Sequence, residues 1–340
     1  MSSSTTAPAR TPRAAHVPWW MWFVPCLWAG AFLTGAAALR RLSPDMVTFL
    51  RFAITAAGGA IVLRRPVARV FASRPTARQW SAILVLALIG GVGYHVTFYA
   101  GLARSQPPIA SVVIATNPIL TTLGAALFLR DRRPTRGLFV GLFLAFVGVV
   151  LLAMDKPAHD DATLSFIDRF TRGWGWGETL CLIASLSWAT YALLMQRFRT
   201  TLLASLPGAG VTYFIYLFTA LCTLPIVLAT GSIAGIGTMT IGDWGCLVYL
   251  GLIATVIAYT LYNAALDRVG SARVSQVTYA VPALTTLLSL HFVPDFEPHW
   301  RTWAGLVTVT IGLVVSDGRV AARMRRVGAG MQRGGAEGAE

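Results

Sequence analysis

This sequence of 340 residues contains little charge, and acidic residues are especially scarce. Charged residues make up 12% of the chain, with 14 Asp and Glu against 28 Lys and Arg, and Lys156 is its single lysine. A soluble domain carries about 25% charged residues. A chain of this length with so little charge cannot cover a water-facing surface. Together with 55% hydrophobic residues and a mean hydropathy of +0.63, the composition indicates an integral membrane protein.

Motifs for catalysis and for nucleotide or metal binding are also missing. The sequence contains no Walker motif, no HExxH and no GxSxG. Its four cysteines lack the spacing of a metal site, and we interpret them as small buried hydrophobic residues: Cys26, Cys181, Cys222 and Cys246. We therefore expect no enzyme activity, no ATP-driven pump, no cofactor and no metal.

Long stretches of the sequence carry no charge at all, for example 80–103, 105–129, 137–154 and 244–266. Each approximates the roughly 20 apolar residues that cross about 30 Å of hydrocarbon. The pattern predicts an all-α integral membrane fold with ten transmembrane helices. We place these helices at 18–38, 44–63, 80–103, 107–129, 135–154, 174–196, 206–229, 243–265, 271–292 and 300–316.

The second half of the chain repeats the first. Equivalent residues lie 164 positions apart: Pro118 and Pro282, Thr121 and Thr285, Gly141 and Gly305, Gly148 and Gly312. With five helices per copy, the second copy enters the membrane from the opposite side, an inverted repeat typical of secondary transporters. We predict repeats at 18–154 and 174–316, an external linker at 155–173, and tails at 1–17 and 317–340.

The positive charge is distributed unevenly across the predicted loops. Twenty Lys and Arg residues fall on the side that holds both termini, and seven fall on the other side. The positive-inside rule therefore places both termini in the cytoplasm of a multi-pass protein of the inner (plasma) membrane. This topology accounts for the net charge of +14, so we expect no nucleic acid partner. The basic residues of the tails should contact the lipid bilayer.

Several short motifs occur in the same order as in a known family. They are Leu27-Trp28-Ala29-Gly30, Leu50-Arg51-Phe52, Ala115-Thr116-Asn117-Pro118, Tyr262-Asn263-Ala264 and Gln276-Val277-Thr278-Tyr279-Ala280-Val281-Pro282. The chain resembles the drug/metabolite transporter superfamily and specifically its EamA-type permeases. This resemblance implies a carrier, often an exporter, of small metabolites, amino-acid-like compounds or drugs. The chain departs from the family pattern after helix 4, where Arg130-Asp131 replaces the common Gly-Glu.

Two prolines mark the predicted substrate site. Pro118 and Pro282 lie inside helices, where proline removes a backbone hydrogen bond, and in lipid the freed carbonyl must find a partner or line a cavity. Alternatively, each proline forms a kink that serves helix packing alone. Polar and aromatic residues near these kinks are the remaining candidates for substrate binding: Trp28, Tyr99, Asn117, Trp188, Tyr191, Tyr262, Asn263, Gln276 and Tyr279.

Three residues are candidates for coupling or charge recognition. His95 could handle protons or hydrogen-bond a neighbouring helix as a neutral ring. Arg51 is a charge within a predicted helix and could bind an anion or snorkel in a structural role. Glu178 stands near a helix start, where a carboxylate suits the positive end of the helix dipole.

These features favour a secondary transporter that works by alternating access. The alternative from another class is an intramembrane enzyme or lipid-modifying protein, which needs paired reactive groups at one depth, and the sequence offers none. A channel would instead show rings of like charge or a glycine filter. Glycines such as Gly90, Gly91, Gly141 and Gly148 allow close helix contact, either between the repeats or in a homodimer.

Overall fold

The computed structural model describes residues 18–129, 136–153, 174–269, 280–294 and 296–316, and the regular elements within them are all helical. The first repeat contains α1 Trp19–Ala38, α2 Pro44–Val62, α3 Arg64–Ala72, α4 Ala77–Leu102, α5 Pro107–Ile114, α6 Asn117–Gly124 and α7 Arg136–Ala153. The second repeat contains α8 Trp176–Thr200, α9 Gly208–Ala229, α10 Ile241–Val248 continuing through Tyr249–Ile257 and Ala258–Val269, α11 Ala280–Phe292 and α12 Trp300–Ser316.

Six of these helices are long and apolar enough to cross a membrane, namely α1, α2, α4, α8, α9 and α10. Shorter apolar helices lie at Pro107–Thr121, Phe139–Leu151 and Ala280–Phe292. The chain is therefore a multi-pass membrane protein. The predicted linker at 155–173 and both predicted tails lie outside the described residues, as do Gln276 and Tyr279.

Helices α4 and α10 begin with matching capping boxes. The Thr76 amide donates to Gln79 Oε1 at 2.8 Å, and the Gln79 amide donates back to Thr76 Oγ1 at 3.3 Å. Thr240 and Asp243, each 164 residues later, form the same capping box with distances of 2.8 and 3.3 Å. Such a box satisfies two of the amides that a helix start leaves unbonded, so the repeat extends to the way its helices begin.

Both of these helices also contain a π-helical turn, at Ala87–Gly93 in α4 and at Tyr249–Ile257 in α10. The turns occupy nearly equivalent positions in the two repeats. Single π-helical turns inside α-helices are frequently found at functional sites. Here they widen the helices where these face the centre of the molecule.

Threonines of α2 and α9 pack against these π-helical turns. Thr55 Oγ1 donates to the Gly251 carbonyl at 3.0 Å, while Thr219, its equivalent 164 residues later, packs against Gly91 so closely that no side chain would fit on the glycine. Each repeat therefore contributes the threonine that contacts the other repeat's wide turn.

Helices α2 and α9 pack against each other in antiparallel fashion. Thr230 Oγ1, just after the end of α9, donates to Asp45 Oδ2 at the start of α2 at 2.8 Å. At the opposite end, Gly59 lies against the Tyr213 ring. The two equivalent helices thus form a central pair shared by both repeats.

Helices α7 and α12 form a second pair with nearly reciprocal contacts. A Cβ atom on Gly148 would lie 2.6 Å from the Gly305 oxygen, and one on Gly312 would lie 2.7 Å from the Gly141 oxygen. These are the same contact seen from each repeat, because all four glycines are related by the spacing of 164. The backbones touch where only glycine leaves room.

The remaining contacts follow the same symmetry. Helix α1 packs on α10 and α11 of the other repeat, and α8 packs on α4, α5 and α6. Such an exchange of equivalent neighbours is what a pseudo-two-fold relation between the repeats produces.

The predicted helices leave residues 64–79 as a connecting loop, but Arg64–Ala72 forms the helix α3. Val70 is buried and Val67 half-buried against α9, while Arg64, Arg65 and Arg69 are exposed. The search for apolar, membrane-length stretches overlooked this short amphipathic helix, since its apolar residues occupy only one face.

Candidate functional site

A cavity of about 270 Å³ lies between the two repeats. The first repeat contributes residues of α1, α2, α4, α5 and α6 and of the turn between the last two. The second repeat contributes residues of α8, α10 and α11. The lining residues are Trp28, Ala31, Phe32, Arg51, Tyr94, His95, Phe98, Ser111, Ile114, Ala115, Asn117, Trp188, Tyr259, Tyr262, Val281 and Pro282.

Aromatic rings make up much of the cavity wall. The Trp28 ring lies 5.3 Å from Tyr259 and 5.4 Å from Tyr262, measured between centroids. In the second repeat, Trp188-Ala189 matches Trp28-Ala29, at a spacing of 160 rather than 164. Trp188 lies 5.1 Å from Tyr94 and 5.2 Å from Tyr191. Rings at these separations attract one another beyond their buried area. The walls therefore suit an apolar or aromatic solute.

Arg51 supplies a positive charge to the cavity and is 7% exposed. Its Nη1 donates to the Tyr99 hydroxyl at 2.7 Å, and its Nε and Nη2 both donate to Thr255 Oγ1, at 3.1 and 2.9 Å. Thr255 in turn donates to the Leu250 carbonyl at 2.7 Å, so its oxygen is free to accept from the guanidinium. The side chain thus ties α2 of the first repeat to α10 of the second.

The partners of Arg51 are neutral, and no carboxylate among the described residues pairs with it. A charged side chain at the centre of a membrane helix costs about 2.5–3.5 kcal/mol on insertion scales. Two hydroxyl groups offset only part of this cost, because a guanidinium has five N–H donors and three of them are used.

His95 lies next to this arginine and is also 7% exposed. Its Nδ1 is 3.0 Å from the Gly91 carbonyl oxygen. That oxygen can only accept, so Nδ1 carries a proton. The ring also meets Phe52 and Tyr94 edge to face, at 4.6 Å between centroids in each case.

The helix break between α5 and α6 positions Asn117. The last turn of α5 ends at Ile114, and a turn at 115–116 precedes α6, whose first residue is Asn117. The next residue, Pro118, has no amide hydrogen to continue the hydrogen-bond ladder of α5. Asn117 Oδ1 is buried and accepts no hydrogen bond within the described structure.

Several predicted site residues lie elsewhere. Tyr99 is fully buried behind Arg51 and does not line the main cavity. Tyr191 lines an adjoining void of about 30 Å³ that also reaches Arg51 and His95. Glu178 caps the start of α8, where it accepts hydrogen bonds from Ser105 Oγ at 2.8 Å and from the Gly175 amide at 2.9 Å.

Four further candidates lie wholly or partly outside the described residues. Gln276 and Tyr279 lie outside the described residues, and the helical positions of Asn263 and Pro118 are described without their side chains. Pro282 lines the cavity near the start of α11.

Four aromatic residues of the wall were not among the predicted candidates: Phe32, Tyr94, Phe98 and Tyr259. Helical spacing could have found them. Phe32 follows the predicted Trp28 by four residues, Phe98 follows the predicted His95 by three, and Tyr259 precedes the predicted Tyr262 by three, so each pair shares a helix face. Tyr94 in turn precedes Phe98 by four residues. No group of three His, Cys, Asp or Glu residues in the described part of the chain could hold a metal ion.

Comparison with protein families decides the class of this molecule. The model of the EamA-like transporter family matches residues 18–154 and 175–316. The chain belongs to the EamA-like transporter family. The predicted resemblance to EamA-type permeases is thereby confirmed, and the family indicates a transporter rather than an enzyme.

Relatives of this EamA-like transporter have similar names. The uncharacterized transporter YyaM of Bacillus subtilis is 25% identical over 235 residues, covering 69% of this chain and 72% of its own. The aromatic amino acid exporter YddG of Ancylobacter novellus is 25% identical over 283 residues, covering 83% and 89%. A probable terminal-alkyne amino-acid exporter of Streptantibioticus cattleyicolor is 24% identical over 306 residues, covering 88% and 92%.

A solved crystal structure also matches this transporter. Its TM-score is 0.58 at 20% sequence identity, and the match covers 89% of this chain and 98% of that one. At this level of identity the likeness shows the fold alone.

Proposed function

We propose that this protein is a secondary carrier that exports a small metabolite, amino-acid-like compound or drug across the inner (plasma) membrane by alternating access. The observation that carries the proposal is the cavity of about 270 Å³ between the repeats, to which both contribute. Substrate sites at the interface of inverted repeats are typical of secondary transporters. The names of two relatives, both amino-acid exporters, support export and an amino-acid-like solute.

The proposed topology has ten transmembrane helices in two inverted five-helix repeats, with both termini in the cytoplasm. Antiparallel packing of α2 on α9 and the nearly reciprocal glycine contacts of α7 and α12 support it. In such a molecule, one repeat can open the cavity to one side in the way that the other opens it to the opposite side.

The orientation can be tested by cysteine labelling in a background whose four native cysteines are replaced by alanine. An impermeant maleimide added to intact cells should label Ser165→Cys in the proposed external linker. It should leave Ser73→Cys, in the connection after α3, unlabelled until the cells are opened. Equal labelling of both in intact cells contradicts the topology.

The substrate site is proposed to lie at the cavity near Pro118 and Pro282, with Trp28, Trp188 and Asn117 in contact with the solute. His95 and Glu178 are the candidates for proton coupling. If His95→Ala and Glu178→Gln both leave pH-driven transport intact, coupling through these two residues is wrong.

Counterflow in proteoliposomes tests the carrier proposal. Vesicles loaded with unlabelled solute should transiently accumulate the labelled solute, with a rate that saturates. Trp188→Ala should abolish this accumulation, whereas Trp176→Ala, which removes a tryptophan that is 72% exposed on the same helix, should preserve it. A flux that rises without saturation would indicate a channel instead.

A thermal-shift screen would find the solute for this assay. Amino acids, nucleosides, sugars, polyamines, organic acids and cationic dyes cover the chemical classes that the family carries. A ligand present at about 100 times its dissociation constant stabilises the folded protein by roughly 2.7 kcal/mol, which is visible as a raised melting temperature.

A further inference from the structure

We infer that the solute carries a carboxylate, which pairs with the Arg51 guanidinium while the aromatic walls hold an apolar or aromatic body. This inference rests on the proposed carrier function and adds the class of substrate. It is drawn from the charge and hydrogen bonding of the cavity in this chain.

Arg51 has unused capacity to donate hydrogen bonds. Its three hydrogen bonds go to Thr255 and Tyr99, and two of its five N–H donors have no acceptor among the described residues. The side chain lines both the main cavity and the small adjoining void. A carboxylate in the cavity would supply both an acceptor and the missing negative charge.

The described lining contains no competing anion. No Asp or Glu is among the described residues that line either space. A solute with only a positive charge would therefore meet an arginine and no counter-charge, and like charges in a poorly solvated site repel strongly. The cavity selects against cations, although its aromatic rings alone would attract them.

The guanidinium of Arg51 is held in place before any solute binds. Nε and Nη2 donate to a single oxygen, Thr255 Oγ1, at 3.1 and 2.9 Å, and Tyr99 holds Nη1 from the other side at 2.7 Å. A donor group that is already oriented loses less entropy when a ligand binds. Because Thr255 belongs to the second repeat, the orientation of Arg51 depends on how the two repeats are packed.

Asn117 distinguishes two kinds of carboxylate. Its Oδ1 is buried without a hydrogen-bond donor from the described residues, and Asn117 lines the same cavity as Arg51. A solute N–H would satisfy this oxygen. An amino acid provides both the carboxylate and the N–H, whereas a simple acid provides only the carboxylate.

The test uses three probes that share a phenyl ring: L-phenylalanine, phenylacetate and phenylalaninamide. In proteoliposomes at pH 7, phenylalanine and phenylacetate should drive counterflow, and phenylalaninamide, which lacks a carboxylate, should not. Counterflow of the amide at a rate equal to that of phenylalanine overturns the carboxylate inference but leaves the carrier proposal standing. If none of these probes shows counterflow but another solute without a carboxylate does, the carboxylate inference is wrong and the carrier proposal stands. Failure of all solutes to show counterflow overturns both.

Variants locate the carboxylate. Arg51→Gln should raise the dissociation constant of phenylalanine by about 100-fold, and Arg51→Lys should raise it less because the charge is kept. Arg40→Gln makes the same chemical change at an exposed arginine and should leave binding unchanged. Unaltered binding in a folded Arg51→Gln protein would assign Arg51 a purely structural role. If Arg51→Gln does not fold, the three-probe comparison on the unmodified protein still decides the inference.

Discussion

The two repeats share a scaffold but differ in the chemistry they bring to the cavity. Trp28 and Trp188 occupy equivalent positions, and both line the cavity. Arg51, by contrast, is matched 164 residues later by Ile215, which is buried and uncharged. In the proposed alternating-access carrier, the common scaffold lets the two repeats exchange roles. The difference serves the proposed recognition of a solute, because two equivalent arginines would place two cations in one cavity.

The two tryptophans also differ in their hydrogen bonds. Trp28 Nε1 donates to the Ala254 carbonyl, within the π-helical turn of α10, at 3.2 Å. Trp188 has no such partner among the described residues, and its neighbour Ser187 instead donates to the Ile89 carbonyl of the opposite π-helical turn at 2.8 Å. One repeat thus bonds the turn through the cavity-lining ring itself, whereas the other leaves that ring available to a solute.

The largest change in melting temperature is expected at the contact between α7 and α12, where the repeats are most alike. Gly148→Ala places a Cβ atom 2.6 Å from the backbone oxygen of Gly305. Gly312→Ala places one 2.7 Å from the backbone oxygen of Gly141. Overpacking against a backbone costs up to about 3 kcal/mol, so both variants should melt at a clearly lower temperature in detergent, and by similar amounts.

The control for this pair is Gly245→Ala in α10, where nothing lies within 4 Å of the new atom. It should melt at or slightly above the temperature of the unmodified protein, since alanine favours a helix by about 1 kcal/mol over glycine. A large loss in one glycine variant and none in the other would contradict the symmetry of α7 and α12.

A smaller change in melting temperature is expected at the contact between Arg51 and Thr255, which has no equivalent in the other repeat. Thr255→Val removes the acceptor for two N–H groups of Arg51. Leaving buried donors unsatisfied costs about 2 kcal/mol, so the variant should lower the melting temperature and also weaken solute binding, because Arg51 loses its orientation. Thr260→Val is the matched control, since Thr260 is exposed on the same helix and bonds only to its own backbone, at Val256. If both variants lowered the melting temperature and solute binding equally, the hydrogen bonds from Arg51 to Thr255 would contribute nothing to stability or binding.

Sequence alone predicted the family and many helix positions, because these depend on features that recur at one spacing. The charge-free stretches predicted membrane-length helices such as α9. Long apolar runs and repeat spacing are strong signals, since the membrane leaves the backbone few alternatives to a helix.

Sequence did not predict what depends on contacts between helices. The π-helical turn at Ala87–Gly93 has no motif of its own and coincides with the packing of Thr219 on Gly91. Likewise, nothing in the sequence indicates that Tyr99 lies behind Arg51, because the depth of a side chain in a bundle is set by the neighbouring helices. Tyr259 could have been inferred from helical spacing, as it shares a face with Tyr262.

The smallest expected effect concerns the two tryptophans, and each variant is the control for the other. Trp28→Phe keeps an aromatic ring but leaves the Ala254 carbonyl without its donor. Losing one hydrogen bond of this kind costs about 1 kcal/mol, so the melting temperature should fall slightly. Trp188→Phe breaks no hydrogen bond seen among the described residues and should leave the melting temperature unchanged. It should instead raise the concentration of solute needed for half-maximal counterflow, because the indole N–H is lost from the cavity wall. If both variants lowered stability equally and neither changed solute affinity, the difference in hydrogen bonding would have no bearing on function, and the asymmetry of the site would rest on Arg51 alone.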